Sequence, residues 1–186
     1  SRSPYLQLAT DSSIQIVWRT EAKINPIIRY GKNLEDLNEQ IGSESILERR
    51  TAEESEESAN DSLSLFDAPK GTRQFEAKVS DLDSNSTYYY SVFDGEQRLT
   101  PKDPSYHFKT HPKPGTNSPV YFWVVGDSGT GGENQARVHT AMRKYNQIKN
   151  LKLDLYIHVG DMAYNSGTDG EFSERFFKMY EPTLRN

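Results

Sequence analysis

Residues 120–127 read VYFWVVGD and residues 153–161 read LDLYIHVGD, so two apolar runs each end in Gly-Asp. A glycine-rich loop, GDSGTGGEN over residues 126–134, follows the first run. Beyond this loop, apolar residues recur three, four and three positions apart, at Val138, Ala141, Tyr145 and Ile148. That spacing predicts an amphipathic helix. The order therefore predicts a strand–helix–strand unit of a parallel sheet, and the absence of alternation in both runs is typical of strands covered on both faces.

The chain before this unit has a different pattern. Short stretches of alternating apolar residues are separated by turn residues, which predicts an antiparallel β-sandwich. The predicted strands lie at Ser12–Arg19, Ile27–Tyr30, 72–80 and Tyr88–Phe93. The segment HPKPGTNSP, residues 111–119, contains three prolines and a glycine and predicts a stiff connector. We therefore expect a sandwich over residues 1–112, a linker over 113–119 and an α/β part over 120–186.

One turn in the first part favours a particular kind of sandwich. In LDSNSTYYYSV, residues 82–92, Leu82 stands six residues before Tyr88 at the start of a strand. This spacing resembles the tyrosine corner of immunoglobulin-type and fibronectin type III sandwiches. The absence of cysteine makes fibronectin type III the better match. The alternative is that the tyrosines are simply good strand formers.

Composition and charge exclude several classes of function. The chain of 186 residues has no cysteine, which excludes disulfides, cysteine-containing zinc sites and thiol nucleophiles. The formal net charge of −5 comes from the acidic segment 44–61, which has seven acidic residues and two arginines. The rest is electrically neutral and has no basic stripe, which argues against nucleic acid as a partner. No apolar run approaches the length of a membrane span, so no membrane partner is expected. The part at 51–61, TAEESEESAND, is predicted to be a solvated insertion.

The two Gly-Asp pairs indicate a metal site. Parallel strands place Asp127 and Asp161 at the same carboxyl edge of the sheet, where open α/β sheets bind ligands. A turn after the second strand brings Tyr164, three residues beyond Asp161, toward the same centre. Three oxygen donors suit a hard cation. No protein nucleophile is needed at such a site, and none is predicted.

The pair GDSG and GDMAY, in this order and joined by a helix, resembles the first two sequence blocks of the calcineurin-like metallophosphoesterases. The tyrosine of the second block and the preceding sandwich, with words similar to PYLQ and IVWRT, resemble the purple acid phosphatases within that superfamily. The fold that this implies is a fibronectin type III-like β-sandwich followed by the first βαβ part of an α/β metallophosphoesterase domain.

The resemblance also implies an activity and a set of ligands. Asp127 would bind a ferric ion, Asp161 would bridge it to a second metal, which is iron, zinc or manganese, and Tyr164 would bind the ferric ion through its phenolate. The implied reaction is hydrolysis of phosphate monoesters by attack of a metal-bound hydroxide on phosphorus. A secreted or periplasmic location is implied as well, and a homodimer is a further possibility that the sequence leaves open.

The sequence departs from the family pattern in one respect. An Asn block similar to GNHE or GNHD, and the histidines that complete both metal shells, are not in these 186 residues. His139 on the helix and His158 inside the second strand are expected to be structural. We therefore expect the chain to be a piece of a longer enzyme, whose remaining ligands come from a C-terminal segment or a second chain. The alternatives are an inactive fragment and a fibronectin-type binding module.

The loop GDSGTGGEN also invites a nucleotide-binding interpretation. It has no Lys-Ser or Lys-Thr after the glycines, as a P-loop requires, and Asn134 stands where a dinucleotide fingerprint needs its third glycine. A flexible turn at the start of a helix explains the loop more simply.

Overall fold

The computed structural model describes residues 1–48 and 67–186. These residues form two compact units. The first contains the described residues between 1 and 115 together with 185–186, and the second contains residues 116–184. The acidic stretch 51–61, predicted to be a solvated insertion, lies outside the described residues.

The first unit is antiparallel. Its described strands are β1 (Arg2–Gln7), β2 (Ile14–Thr20), β3 (Pro26–Gly31), β4 (Glu39–Gly42), β5 (Glu44–Glu48), β6 (Arg73–Val79), β7 (Thr87–Asp94), β8 (Gln97–Arg98) and β9 (His107–Lys109). One sheet has the strand order β1-β2-β6-β5, and the other has the order β4-β3-β7-β8 with β9 also paired to β7. The four strands predicted from the sequence correspond to β2, β3, β6 and β7. The others were missed because they are short or lack a clean alternation.

One apolar core lies between the two sheets. Trp18 of β2 stacks on Phe75 of β6 with ring centroids 5.4 Å apart. Tyr90 of β7 is fully buried and meets Tyr106 edge to face, with centroids 5.9 Å apart. The inward faces predicted from the alternation are confirmed, because all of the predicted residues belong to this core: Ile14, Ile16, Trp18, Phe75, Ala77, Val79, Tyr88, Tyr90 and Val92. Some residues next to them, such as Val17, Ser91 and Phe93, are buried as well. Each large side chain buried in this way contributes roughly 1.5–3 kcal/mol to folding.

The predicted tyrosine corner is present. The backbone N–H of Asp83 donates a hydrogen bond of 3.0 Å to the hydroxyl of Tyr88, and Leu82 beside it is buried. The carbonyl of Asp83 accepts a 2.6 Å bond from Thr110, so both backbone groups of this residue are satisfied. The corner fixes the entry of the chain into β7.

The second unit contains the predicted strand–helix–strand order. Its elements are β10 (Phe122–Val125), α1 (Glu133–Lys149), β11 (Leu155–His158), α2 (Asp169–Phe172), a π-helical turn (Ser173–Phe177) and α3 (Lys178–Leu184). Strands β10 and β11 are parallel, in a register that places Phe122 opposite Leu155 and Val125 opposite His158. No helix among the described residues is both long enough and apolar enough to cross a bilayer.

The sequence predicts cover on both faces of these strands, but within residues 1–48 and 67–186 only one face is covered. Trp123 and Tyr156 stack on each other at 5.1 Å, and both contact Tyr180 of α3. On the other face the alternate residues are exposed, and Phe122 retains 60% of its surface. In the described part of the chain the helices pack on one face only, so the opposite face has no cover.

The helix α1 forms as predicted, but its apolar residues are not the ones that pack against the rest of the second unit. Val138, Tyr145 and Ile148 are exposed, Ile148 at 80%. The residues that α1 buries are Gln135 and His139. His139 stacks on Trp123 at 5.8 Å and its Nε2 lies 2.7 Å from the Thr183 hydroxyl. A polar and aromatic surface therefore replaces the expected aliphatic one.

We expect replacement of Tyr88 by Phe to destabilise the first unit by about 1–2 kcal/mol, because the Asp83 N–H loses its acceptor. Tyr89→Phe is the matched control, since its ring lies on the other side of β7. The measurement is urea unfolding followed by Trp18 fluorescence in a Trp123→Phe background. Equal midpoints for the two variants would contradict the assigned role of the corner.

Candidate functional site

Two loops leave the carboxyl ends of β10 and β11 and stay bonded to each other. The Asp127 N–H donates to the Gly160 carbonyl at 3.1 Å, and the Gly129 N–H donates to the Asp161 carbonyl at 2.8 Å. The Tyr164 N–H then donates to the Gly129 carbonyl at 2.9 Å. These backbone bonds extend the parallel pairing beyond the strands, so the two Gly-Asp pairs lie side by side as predicted.

Gly129 allows this close approach. A Cβ atom at this position would lie 2.3 Å from the backbone nitrogen of Ala163 and 2.4 Å from the carbonyl carbon of Met162. Both neighbours are backbone atoms, which cannot rotate away as a side chain can. Any residue other than glycine would force the two loops apart.

The structure brings together the three residues predicted as metal ligands. The Tyr164 hydroxyl lies 2.8 Å from Oδ2 of Asp161 and is hydrogen-bonded to Oδ1 of Asp127. These bonds to Asp127 and Asp161 raise the pKa of the Tyr164 phenol, because the carboxylates hold its proton. Within residues 1–48 and 67–186, no three Asp, Glu, His or Cys side chains form a metal-binding group. The phenol is therefore essential to this cluster.

The donor chemistry fits a hard cation. Two carboxylates and a phenol converge, all three donor atoms are oxygen, and both aspartates are exposed to solvent. A cation bound there would replace the proton that the three oxygens now share. Three donors do not fill the shells of two metals, so a two-metal centre needs further ligands.

Both aspartates adopt a backbone conformation that is uncommon for residues other than glycine. Asp127 has a φ of 51° and Asp161 has a φ of 56°. Such left-handed residues cost about 1–3 kcal/mol each and persist where surrounding bonds fix them. Aspartate tolerates this region better than most residues. The same local strain at two adjacent strand ends supports a functional site here.

The loop that carries Tyr164 is organised around one carboxylate. Glu171 accepts hydrogen bonds from the backbone N–H groups of Asn165, Ser166 and Thr168, at 2.6, 3.0 and 3.1 Å. These bonds and the nearby Arg175 lower the pKa of Glu171. Arg175 also donates to the Tyr164 carbonyl. The sequence analysis missed this network, although the Thr168-to-Glu171 spacing of a capping box signals it.

The loop that carries Asp127 is held by its neighbour Ser128. The Ser128 hydroxyl lies 2.9 Å from Nε2 of His158 and accepts a 2.8 Å bond from the Tyr180 hydroxyl. His139 is buried against α3, and burial lowers its pKa. These contacts are consistent with structural roles for both histidines. Sequence analysis did not identify Ser128 or Tyr180, because nothing in their spacing indicates this contact.

Comparison with known proteins shows which family this chain belongs to. The family model described as "Purple acid Phosphatase, N-terminal domain" matches residues 2–110, more than half of the chain. The chain belongs to this family. The curated "Purple acid phosphatase 1" of Ipomoea batatas is 28% identical over 116 residues, which are 57% of this chain and 22% of that protein. The purple acid phosphatase assignment made from the sequence is thereby confirmed.

Solved structures share the fold. The purple acid phosphatase PPD1 of yellow lupin (Lupinus luteus) seeds matches with a TM-score of 0.64 and 18% identity, over 98% of this chain and 33% of that chain. The structure of PhoD matches with a TM-score of 0.53 and 16% identity, over 98% of this chain and 35% of that one. The chain therefore spans about a third or less of the purple acid phosphatases and other proteins that it matches.

Replacing Gly129 by Ala tests the close approach of the loops in this purple acid phosphatase relative. We expect the second unit to lose about 1–3 kcal/mol of stability, because the added Cβ overlaps backbone atoms. Hydrogen exchange of the Tyr164 amide should also accelerate. Gly170→Ala is the control, since a Cβ there meets no atom within 4 Å. Equal exchange rates in the two variants would contradict the steric argument.

The Glu171 network should depend on pH. Because the folded pKa of Glu171 is lowered, its bonds stabilise the loop above the ordinary glutamate pKa and are lost as pH falls through the folded value. The ¹⁵N shifts of Ser166 and Thr168 should titrate with a pKa below the ordinary one. Glu171→Gln should remove this transition, whereas Glu174→Gln, in an exposed pair with Lys178, should keep it. Persistence of the transition in Glu171→Gln would show that another group causes it.

Proposed function

We propose that this chain provides part of a two-metal centre that hydrolyses phosphate monoesters. The observation that carries the proposal is the convergence of Asp127, Asp161 and Tyr164 at the carboxyl edge of a parallel strand pair, in a chain of the purple acid phosphatase family. That relationship favours phosphoester hydrolysis over a binding-module role for the sandwich.

The proposed ligands take the roles that the family resemblance implies. Tyr164 and Asp127 would hold a ferric ion, and Asp161 would bridge it to a second divalent metal, which is iron, zinc or manganese. When bound, the metals supply a Lewis acid and a nucleophilic water for hydrolysis. Asp127, Asp161 and Tyr164 supply negative oxygen donors, and Tyr164 must release its proton as the cation binds.

The protein prepares this site before any ligand arrives. The backbone bonds between the loops hold Asp127 and Asp161 beside each other despite their mutual repulsion. The Glu171 network fixes the loop that positions the phenol. Both carboxylates are exposed, so a phosphate ester can reach them from solvent. This preorganisation lowers the cost of assembling the centre.

We also propose that residues 120–186 are the first part of a metallophosphoesterase domain, after a sandwich over 1–112 and a linker over 113–119. The bare face of β10 and β11 supports a further segment that packs on this face. Its exposed apolar residues form one strip, of Val120, Phe122, Val124, Leu155, Ile157 and Val159. The segment would also bring the remaining metal ligands. A secreted or periplasmic location and a homodimer stay proposals from the resemblance.

The test of function is Asp161→Asn in the longer protein that contains this chain. We expect metal content to fall and hydrolysis of p-nitrophenyl phosphate to drop roughly 100-fold or more, because a charged donor is lost. Asp154→Asn is the matched control. Asp154 lies just before the other end of β11, and its carboxylate accepts a bond from the Tyr121 N–H.

Metal content is measured by mass spectrometry of the purified protein, and activity by release of p-nitrophenolate. Unchanged metal content and rate in Asp161→Asn would overturn the proposed centre. Tyr164→Phe gives a second readout, because it should remove the visible absorption of a tyrosinate bound to ferric ion without removing either carboxylate.

A further inference from the structure

The residue after Asp127 is bonded to three separate parts of the second unit. The Ser128 N–H donates to the Asp161 carbonyl at 3.3 Å. Its hydroxyl contacts His158 at the end of β11 and Tyr180 in α3, at 2.9 and 2.8 Å. No other residue of the Gly126–Gly132 loop has a side-chain bond to both a strand and a helix in the described structure. Ser128 therefore anchors this loop through its side chain, in addition to the backbone bonds of the loop.

The two partners of Ser128 are themselves fixed. Tyr180 is 1% exposed and packs edge to face against His139 at 5.1 Å and Phe176 at 5.5 Å. His158 packs edge to face on Phe176 at 5.6 Å. The Gly160 N–H lies 3.3 Å from Nδ1 of His158, which sets the orientation of the imidazole ring. Packing of the rings therefore directs Nε2 of His158 and the hydroxyl of Tyr180 toward the Ser128 hydroxyl.

Asp127 needs such an anchor. Its φ of 51° is unfavourable for a residue with a side chain, and it is kept only where neighbouring bonds determine the backbone on both sides. On the N-terminal side, β10 is paired with β11. On the C-terminal side, Ser128 is the first residue with a side-chain bond. Loss of that bond leaves the peptide after the carboxylate held only by the backbone bonds of Ser128 and Gly129 to the Asp161 carbonyl.

We propose that Ser128, held by Tyr180 and His158, is a positioning residue that fixes the Asp127 carboxylate toward Asp161 and Tyr164. It acts through Asp127 and touches neither substrate nor metal. The metal-dependent part of this inference rests on the proposed function, whereas the ordering of the loop does not.

The experiment compares Ser128→Ala and Tyr180→Phe with two controls in the full chain. Ser128→Thr keeps the hydroxyl, and Tyr145→Phe removes a hydroxyl from an exposed ring on α1. Hydrogen exchange is followed at the amides of Gly129 and Tyr164, which bond the two loops. The Val159 amide, which donates to the Val125 carbonyl at 2.9 Å, reports the strand pair. Ferric ion alone is the binding probe, read by the visible tyrosinate absorption.

We expect Ser128→Ala and Tyr180→Phe to accelerate exchange at Gly129 and Tyr164 about fivefold or more relative to Val159. Ferric affinity should weaken roughly 10- to 100-fold, as is typical when a residue that orients a ligand is removed. Ser128→Thr and Tyr145→Phe should remain near the parent chain. Tyr180→Phe keeps the buried ring, so it provides the test if Ser128→Ala does not fold.

Two outcomes separate the proposals. If the loop amides exchange no faster relative to Val159 in either variant, the positioning role of Ser128 is overturned, whatever happens to iron. If the loop amides respond selectively but the parent chain shows no ferric absorption, the positioning role stands and Asp127, Asp161 and Tyr164 do not bind ferric ion without the further ligands of the proposed centre.

Discussion

The parallel bonding between β10 and β11 does not stop where the strands end, and the candidate site depends on this continuation. Backbone groups of residues 127–129 bond to those of residues 160–164, so two loops are kept within contact distance. Loops are usually more mobile than the strands that they follow, so the side chains of two neighbouring loops are not fixed relative to each other. Here the bonded loops carry both aspartates and the tyrosine, and their positions relative to each other are set by the backbone.

The backbone bonds are reinforced from two sides by side chains that take no part in the chemistry proposed for the site. On one side an aromatic cluster presents Tyr180 and His158 to Ser128. On the other side Glu171 gathers three N–H groups of the loop after Tyr164. The bonds of Ser128 offset the unfavourable backbone of the adjacent Asp127, and those of Glu171 hold the loop that follows Tyr164. Repulsion between the two carboxylates is likewise offset by the Tyr164 hydroxyl.

Much of this arrangement could be predicted from the sequence. Alternation identified four strands of the sandwich and the inward faces of three of them, because a period of two has one physical explanation in a half-buried strand. The repeated Gly-Asp at strand ends located Asp127 and Asp161, since parallel strands end at one edge. The Leu82-to-Tyr88 spacing located the tyrosine corner.

Other features could not be predicted, for identifiable reasons. An apolar run shows that a strand can be buried, not which neighbour covers it, so the bare face of Phe122 and Val124 was not foreseen. The period of α1 located a helix, but its contact with β10 is made by His139, which stacks on Trp123. Its other buried residue, Gln135, accepts a bond from the Gly131 N–H and donates one to the Arg175 carbonyl. Ser128 and Tyr180 are 52 residues apart, and their bond depends on how α3 returns to the sheet. Sequence spacing contains no record of such a long-range contact.

The absence of a side chain at Gly129 also constrains how this site can evolve. Nineteen of the twenty amino acids place an atom where the backbone of residues 162–163 already lies. A related chain with any other residue at this position must have separated its two loops, and with them the three oxygens. The residue at this position therefore distinguishes relatives that can keep the three oxygens together from those that cannot, whatever ligand residues they have.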